Sequence, residues 1–187
     1  RIEPYVIDDF YICPPWHRQD QGNKGHRHIL MDPGVVFGTG RHQTTEDCLQ
    51  LIYRLFSRES SAATIKTVLD IGTGTGLLAL SAAAMGCSRI LACDFNRLDV
   101  KTTLNNIRLN GFERQILAFQ ARGEQVMEIS SDLMVANIHY DIMRHIIEHP
   151  GLLDNQWFIL SGLLKSEMRK VMDALKSKPV HVVETRC

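Results

Sequence analysis

A chain of 187 residues with 44% hydrophobic and 22% charged side chains has the length and apolar content for one globular domain with a full core. Its 21 basic and 21 acidic residues cancel, which argues against a global nucleic-acid or membrane-surface character and leaves only a local basic patch open. No apolar run reaches the roughly 20 residues of a membrane helix, and no signal peptide is visible. The five cysteines Cys13, Cys48, Cys87, Cys93 and Cys187 show no C-x-x-C pair and read as free thiols of a reducing, cytoplasmic setting, most of them buried small hydrophobes.

The chain starts abruptly on Arg1, which points to a piece of a longer protein. Tyr11-Ile12-Cys13 and Ile29-Leu30-Met31 are expected as short strands around a polar loop from His17 to His28, and Asp32-Pro33-Gly34 as a turn. The glycine-bearing loop Phe37-Gly38-Thr39-Gly40 leads into a helix. Thr44 is its expected cap with Asp47 reaching back, and Cys48, Leu49, Leu51, Ile52, Leu55 and Phe56 form its apolar face. Ser57 to Ala63 reads as a surface loop.

From there strands and helices alternate. A strand over Thr67–Ile71 precedes a helix from about Gly76 to Met85, stopped by Gly86. A strand over Arg89–Cys93 precedes a helix from about Leu98 to Asn110, stopped by Gly111. Strands follow at Ile116–Phe119 and Leu133–Ala136, then a helix carrying Ile142, Met143, Ile146 and Ile147 that Pro150-Gly151 break. A strand over Trp157–Leu160, a helix carrying Leu164, Met168, Val171, Met172 and Leu175, and a sixth strand over Val180–Val183 complete the pattern. Such alternation predicts an α/β fold: a mostly parallel Rossmann-like sheet with helices on both faces and right-handed crossovers. We read residues 1–187 as one catalytic domain, with a lead-in and lid segment at 1–45 and the alternating core at 64–187. Ligands in such sheets bind at the carboxyl ends of the strands, near the switch in strand order.

The most informative segment is Val68-Leu69-Asp70-Ile71-Gly72-Thr73-Gly74-Thr75-Gly76. Alternating glycines after a strand let the backbone approach a ligand closely, and the helix that opens at Leu77 offers free N–H groups to a carboxylate. The order is G-x-G-x-G and not the dinucleotide G-x-G-x-x-G, since Leu77 stands where the last glycine would be. That turns the reading from a nicotinamide cofactor towards S-adenosyl-L-methionine held by Gly72, Thr73, Gly74 and Gly76.

Asp94 ends the next strand, 24 positions after Asp70, near the spacing of a ribose-binding acid; the alternative is a solvated helix cap. Asp70 is expected to face the cofactor's ammonium, to fix the loop by accepting N–H bonds, or both. Glu124, past the strand at Ile116–Phe119, is a candidate for the adenine edge or an ordinary surface residue. Asn137 follows the strand at Leu133–Ala136, where its amide oxygen can accept from an acceptor amine and aim the nitrogen lone pair; a helix cap is the alternative. His139 is a candidate general base or a partly exposed helix-start residue. His26 and His28 have no evident third ligand, so no metal is expected.

A second segment joins the glycine loop. Met31-Asp32-Pro33-Gly34-Val35-Val36-Phe37-Gly38-Thr39-Gly40-Arg41-His42-Gln43-Thr44-Thr45 resembles the D-P-G-x-x-F-G-T-G-x-H-x-T-T signature of the ribosomal protein L-eleven methyltransferases, the PrmA family. Ile12-Cys13-Pro14-Pro15-Trp16, Ala136-Asn137-Ile138 and Leu160-Ser161-Gly162 also look like that family, so the resemblance runs over roughly residues 5 to 185. It implies a class I methyltransferase fold and an S-adenosylmethionine-dependent protein N-methyltransferase acting on lysine and N-terminal amines of a ribosomal protein, with no membrane and no direct nucleic-acid partner. It also implies that Phe37, Gly38, Thr39 and Thr44 help enclose the methionyl end of the cofactor. The chain departs from the family in three respects: no N-terminal recognition domain, no final antiparallel strand after the sixth, and a His139-Tyr140 pair without a secure counterpart. A different acceptor, or a silent cofactor-binding module, are the competing readings.

Overall fold

The computed structural model describes residues 3–17, 25–32, 42–58 and 65–186. In chain order they form β1 (Tyr5–Ile7), β2 (Phe10–Cys13), β3 (Arg27–Leu30), α1 (Gln43–Ser57), β4 (Thr67–Ile71), α2 (Leu77–Ala84), β5 (Arg89–Asp94), α3 (Arg97–Asn110), β6 (Ile116–Gln120), β7 (Leu133–Asn137), α4 (Tyr140–Glu148), β8 (Trp157–Ser161) and α5 (Lys165–Leu175). The main sheet has the order β6-β5-β4-β7-β8, with every pairing parallel. This is the expected α/β architecture. The chain runs outward from β4 to β6, then returns to β7 on the other side, so the switch lies between β4 and β7.

Both faces of the sheet are covered, as a parallel sheet requires. Val68, Ile90, Ala92, Ala118, Leu133, Val135 and Ile159 point into one core with α1, α2 and Ile107 of α3. Leu69, Ile71, Cys93, Met134 and Ala136 point into the other, with Met143, Ile146 and Ile147 of α4 and Val171 and Leu175 of α5. The alternation is that of pleated strands. The sequence of α2, LLALSAAA, is apolar all round, and its residues Leu77 to Ala83 are all buried: it is sandwiched and not amphipathic. Asn96 caps α3 through its side chain, accepting from Leu98 N at 2.9 Å, and Gly111 closes that helix in the left-handed conformation.

A second sheet of order β1-β2-β3 packs against the first core, with β2 and β3 parallel. The strands expected at 11–13 and 29–31 correspond to β2 and β3; β1, antiparallel to β2, was not anticipated because three residues, Tyr5-Val6-Ile7, are too few for a periodic signal.

Two expectations fail. Residues 180–183 form no strand. Their β-branched side chains suit a ladder, but β8 ends the sheet among the described residues, and Val182 and Val183 stay exposed. The segment is instead tied to α1, by Glu184 to Arg54 at 3.0 Å and by Arg186 to Asp47 at 3.4 Å and to Gln50. Thr44 does not cap α1 either. His42 holds the N-cap position in extended conformation and the helix begins at Gln43. Thr44 therefore sits inside the first turn, its hydroxyl paired with His42 Nδ1 at 2.8 Å, while Asp47 accepts from the Gln43 side chain at 3.5 Å. No helix among the described residues is long and apolar enough to cross a membrane.

Candidate functional site

Three loops leave the carboxyl ends of neighbouring parallel strands: the glycine turn after β4, the Ile138-His139 segment after β7, and Gly162 after β8. The strands run one residue further than their sequence pattern suggests, so Asp94 pairs with Gln120 and Asn137 with Ser161 inside the ladders. The polar side chains of the site are thus anchored by strand ends, not by loose connections.

The glycine turn is bound to β5 in steps. Gly72 N and Thr73 N both donate to Cys93 O, at 2.9 and 3.0 Å, and Gly74 N donates to Asp94 Oδ2 at 3.1 Å. The other Asp94 oxygen accepts from Asn96 N at 2.9 Å. Gly72, Gly74 and Gly76 all have positive φ, a conformation in which a Cβ is strained. Asp70 is 1% exposed. Its Oδ2 accepts from the Thr73 hydroxyl at 2.7 Å, and its Oδ1 has no partner in hydrogen-bonding geometry among the described residues. Burial pushes the Asp70 carboxyl up to about 6, with the Thr73 hydroxyl and the Ala79 amide pulling the other way and the charge of Asp94 adding to the rise. Asp99, in the first turn of α3, is raised as well, by burial and by Asp94.

On the other side of the switch, Asn137 is half-buried and its amide nitrogen donates to Thr45 Oγ1 of α1 at 3.2 Å. Its amide oxygen takes no hydrogen bond from the described residues. Ile138 N donates to Ser161 O at 3.1 Å, and Ser161 Oγ donates to Thr44 O at 3.4 Å. A Cβ on Gly72 would overlap Ile138 Cγ2, and one on Gly162 (φ +85°) would lie 2.6 Å from Ile138 O and 2.7 Å from Ile138 N. The three loops are therefore stacked in the order 72, 138, 162, with glycine on both sides of Ile138.

The structure thus brings together Asp70, Gly72, Thr73, Gly74, Gly76 and Asp94 in one turn, and sets Asn137 and Thr44 on its far side through α1 and Ile138. Glu124 is half-buried in the turn that follows β6, and Ala121 N, just before it, donates to Asp94 O at 3.0 Å. His139 is exposed and is the N-cap residue of α4 without a side-chain cap; among the described residues no hydrogen bond runs from it to the glycine turn. Phe37, Gly38 and Thr39 lie outside the described residues. Among the described residues no cluster suits a metal, and Cys13, Cys48, Cys87 and Cys93 are buried and outside any disulfide. Burial holds the Cys48 and Cys93 thiols up at about 12, so neither is a nucleophile near neutral pH. A cavity of about 650 Å³ lies between α1, β8, α5 and residues 179–186, and takes in Thr44 but none of the glycine turn.

Sequence reading missed the polar residues behind the turn. Thr103 Oγ1 donates to Gly74 O at 2.8 Å, and Asn106 Nδ2 donates to Thr75 O at 2.8 Å and to Asp32 O at 3.0 Å. Asn106 Oδ1 accepts from Asp32 N at 2.9 Å. One turn later, Asn110 accepts from Leu30 N at 2.9 Å and donates to Leu30 O at 2.7 Å. The usable signal was the spacing: positions 103, 106 and 110 share a helical face. Thr45, buried beneath Asn137, was overlooked beside Thr44.

A family profile described as "Ribosomal protein L11 methyltransferase (PrmA)" matches residues 2–186. A ribosomal protein L11 methyltransferase of Halalkalibacterium halodurans is 32% identical over 182 residues, 96% of this chain and 56% of that protein. One of Helicobacter pylori is 33% identical over 172 residues, 91% of this chain and 50% of that protein. The crystal structure of a ribosomal protein L11 methylase from Lactobacillus delbrueckii subsp. bulgaricus superposes with a TM-score of 0.78 at 27% identity, over 94% of this chain and 88% of that one. The chain spans about half the length of the curated relatives it matches.

The stacked loops make a prediction about two glycines of equal backbone strain. Gly86 (φ +97°) has open space where a Cβ would go, whereas Gly162 faces the Ile138 backbone. Gly86→Ala should lose about 1–2 kcal/mol from conformation alone, and Gly162→Ala clearly more because backbone must also move. Urea unfolding of the two variants measures the difference; equal losses would mean that the 138–162 contact is not tight.

Proposed function

This chain belongs to the ribosomal protein L11 methyltransferase (PrmA) family, and from that premise we propose that it is the catalytic domain of a cytoplasmic S-adenosylmethionine-dependent protein N-methyltransferase acting on lysine or N-terminal amines of a ribosomal protein. The observation that carries the cofactor is the pair of buried carboxylates, Asp70 and Asp94, at the two sides of the glycine turn. A pyrophosphate-bearing dinucleotide would meet like charge there, while a ligand with an ammonium and a sulfonium would meet opposite charge. The orphaned Oδ1 of Asp70 has the capacity to accept from an ammonium, directly or through water, and a buried acceptor of this kind is costly until it is paired.

Bound there, S-adenosylmethionine supplies a methyl group on a cationic sulfur, open to in-line attack by a neutral amine. The chain's own residues do the rest. Asp94, with one lone pair of each oxygen given to a backbone amide, keeps further acceptor capacity for the ribose hydroxyls. Glu124 stands on the same edge of the sheet, on the adenine side. Asn137 is held by Thr45 through its amide nitrogen, which leaves its oxygen to accept from the acceptor amine and orient the lone pair. An acceptor lysine has an ordinary pKa near 10.4 and must lose a proton before attack; entry into a half-buried site favours its neutral form. His139, exposed and uncoupled from the turn, is not needed for that step, since the proton can leave to solvent. The signature residues Phe37, Gly38, Thr39 and Thr44 are proposed to enclose the methionyl end.

Two sets of measurements test this reading. Asn137→Ala should lower turnover on purified ribosomal protein by about 100-fold or more while leaving the cofactor Kd within about threefold. Asp94→Ala should do the reverse, weakening the cofactor by about 10- to 100-fold through lost charge-assisted hydrogen bonds. Calorimetry with the cofactor, and transfer assays on ribosomal protein against a panel of small amines, separate the roles and the acceptor class. Transfer to small amines alone would move the substrate assignment.

The Asp70 carboxyl adds a pH signature. Its pKa in the folded protein, about 6, lies above the ordinary carboxyl value of 3.8. Its contribution to the stability of the unliganded protein is therefore fully present below about pH 4 and is lost as pH rises through about 6. Ligand affinity runs the other way: a cation favours the ionised carboxylate, so cofactor affinity should rise roughly tenfold between pH 5 and pH 7. Asp70→Asn should abolish most of that rise. A pH-independent Kd in the native protein would remove Asp70 from the ligand's surroundings.

A further inference from the structure

We propose that the Thr103–Asn106–Asn110 stripe of α3 is a positioning device for the cofactor crevice, with Asn106 as its central positioning residue, fixing the backbone of residues 30–32 against the glycine turn. The proposal deepens the functional reading above and rests on it for the identity of the ligand.

The geometry is that of a strand built from side chains. Residues four apart on a helix are separated by about 6 Å along its axis, and residues two apart on a strand by nearly 7 Å. Asn106 and Asn110 thereby each meet one residue of an extended segment, Asp32 and Leu30. Each amide side chain pairs with both the N–H and the C=O of its residue, as a neighbouring strand would. β3 is already paired with β2 on its other edge, Cys13 with Leu30 being the last pair. The chain at 30–32 is therefore held from one side by backbone and from the other by α3.

Asn106 does one thing more. Its second N–H goes to Thr75 O, so one planar amide fixes three backbone groups from two segments more than forty positions apart. Thr103 holds the preceding carbonyl, Gly74 O. Both peptide planes after Gly74 and Thr75 are thus set by α3 side chains. Asn110 Nδ2 also donates to Asn106 O at 2.7 Å, which joins the two asparagines. Asn106 and Thr103 are fully buried, and removal of either side chain's polar atoms leaves buried carbonyls with no replacement partner. A helix needs none of this for its own stability: asparagine and threonine are poor helix formers. The stripe instead fixes where the turn sits.

Titration of the full chain with S-adenosylhomocysteine, the stable demethylated form of the cofactor, tests the proposal at a temperature where every variant is folded by circular dichroism. Asn155→Ala is the control. Asn155 is a buried asparagine that accepts from Ser131 N and Oγ and donates to Gly151 O and Leu152 O, at the opposite edge of the sheet. Asn106→Leu should weaken binding at least tenfold and Asn155→Ala less than twofold, although both lower the urea midpoint. Thr103→Val, which keeps volume and removes only the hydroxyl, should weaken binding about threefold and serves where Asn106→Leu does not fold. Binding within twofold of the native protein in Asn106→Leu, or in Thr103→Val when it stands in, overturns the proposal. A native protein that does not bind the nucleoside counts against the functional reading. The device is then judged by hydrogen exchange. In Asn106→Leu the Asp32 amide must lose protection while the β2–β3 amides keep theirs, and retained protection at Asp32 overturns it.

Discussion

The hydrogen bond from Gly74 N to Asp94 Oδ2, at 3.1 Å, ties the glycine turn to the acid that ends the neighbouring strand. It exists only because β4 and β5 are paired in the register Ile71 to Cys93. That register brings the Cys93 carbonyl, one residue before the end of β5, under the amides of Gly72 and Thr73, and the turn must then fold back over the end of β5. A slip of one residue would turn Asp94 to the opposite face of the sheet. The hydrophobic alternation of β4 and β5, buried on both sides, therefore determines the geometry of a polar site that contains none of those apolar residues.

The opposite wall is set by sterics and not by charge. Ile138 fills the space between Gly72 and Gly162, and neither position has room for a Cβ. Three neighbouring loops at the switch point are thus locked by one residue, Ile138, with its side chain against Gly72 and its backbone against Gly162. Asn137, immediately before Ile138, inherits that rigidity and gains a polar tether to Thr45. In the proposed role, a group that orients a reacting atom benefits from being fixed at both its backbone and its far end.

Much of this was legible in the chain. The places of the glycine turn, Asp94 and Asn137 at strand ends were legible because strand-to-loop transitions leave a local signature: a short apolar run, then small and polar residues. The polar stripe of α3 left only its helical spacing. Asn106 looks like one more hydrophilic position on a helix, and only the tertiary contact with Asp32 and Thr75 shows that it points inward. The run at 180–183 misled for the converse reason. Its β-branched residues satisfy the local preference for a strand, but a strand requires a ladder partner, which is not a property of the segment itself. Thr44 misled through competition: threonine is a good cap, yet His42 two positions earlier already has the extended backbone that starts the helix.

The crevice concentrates negative charge. Asp70, Asp94 and Asp99 lie around one turn, and none forms an ion pair with a lysine or arginine of the described residues. Burial first, and the neighbouring charge of Asp94 after it, make both Asp70 and Asp99 resist ionisation. The fold tolerates them through dipoles alone, the Thr73 hydroxyl and the amides of Gly74 and Asn96. Dipoles orient a carboxylate without cancelling its charge, so a net negative field remains in the crevice. With no lysine or arginine of the described residues ion-paired to these carboxylates, the field is left to be balanced by whatever binds, and a ligand carrying positive charge gains more from that site than its neutral or anionic counterparts.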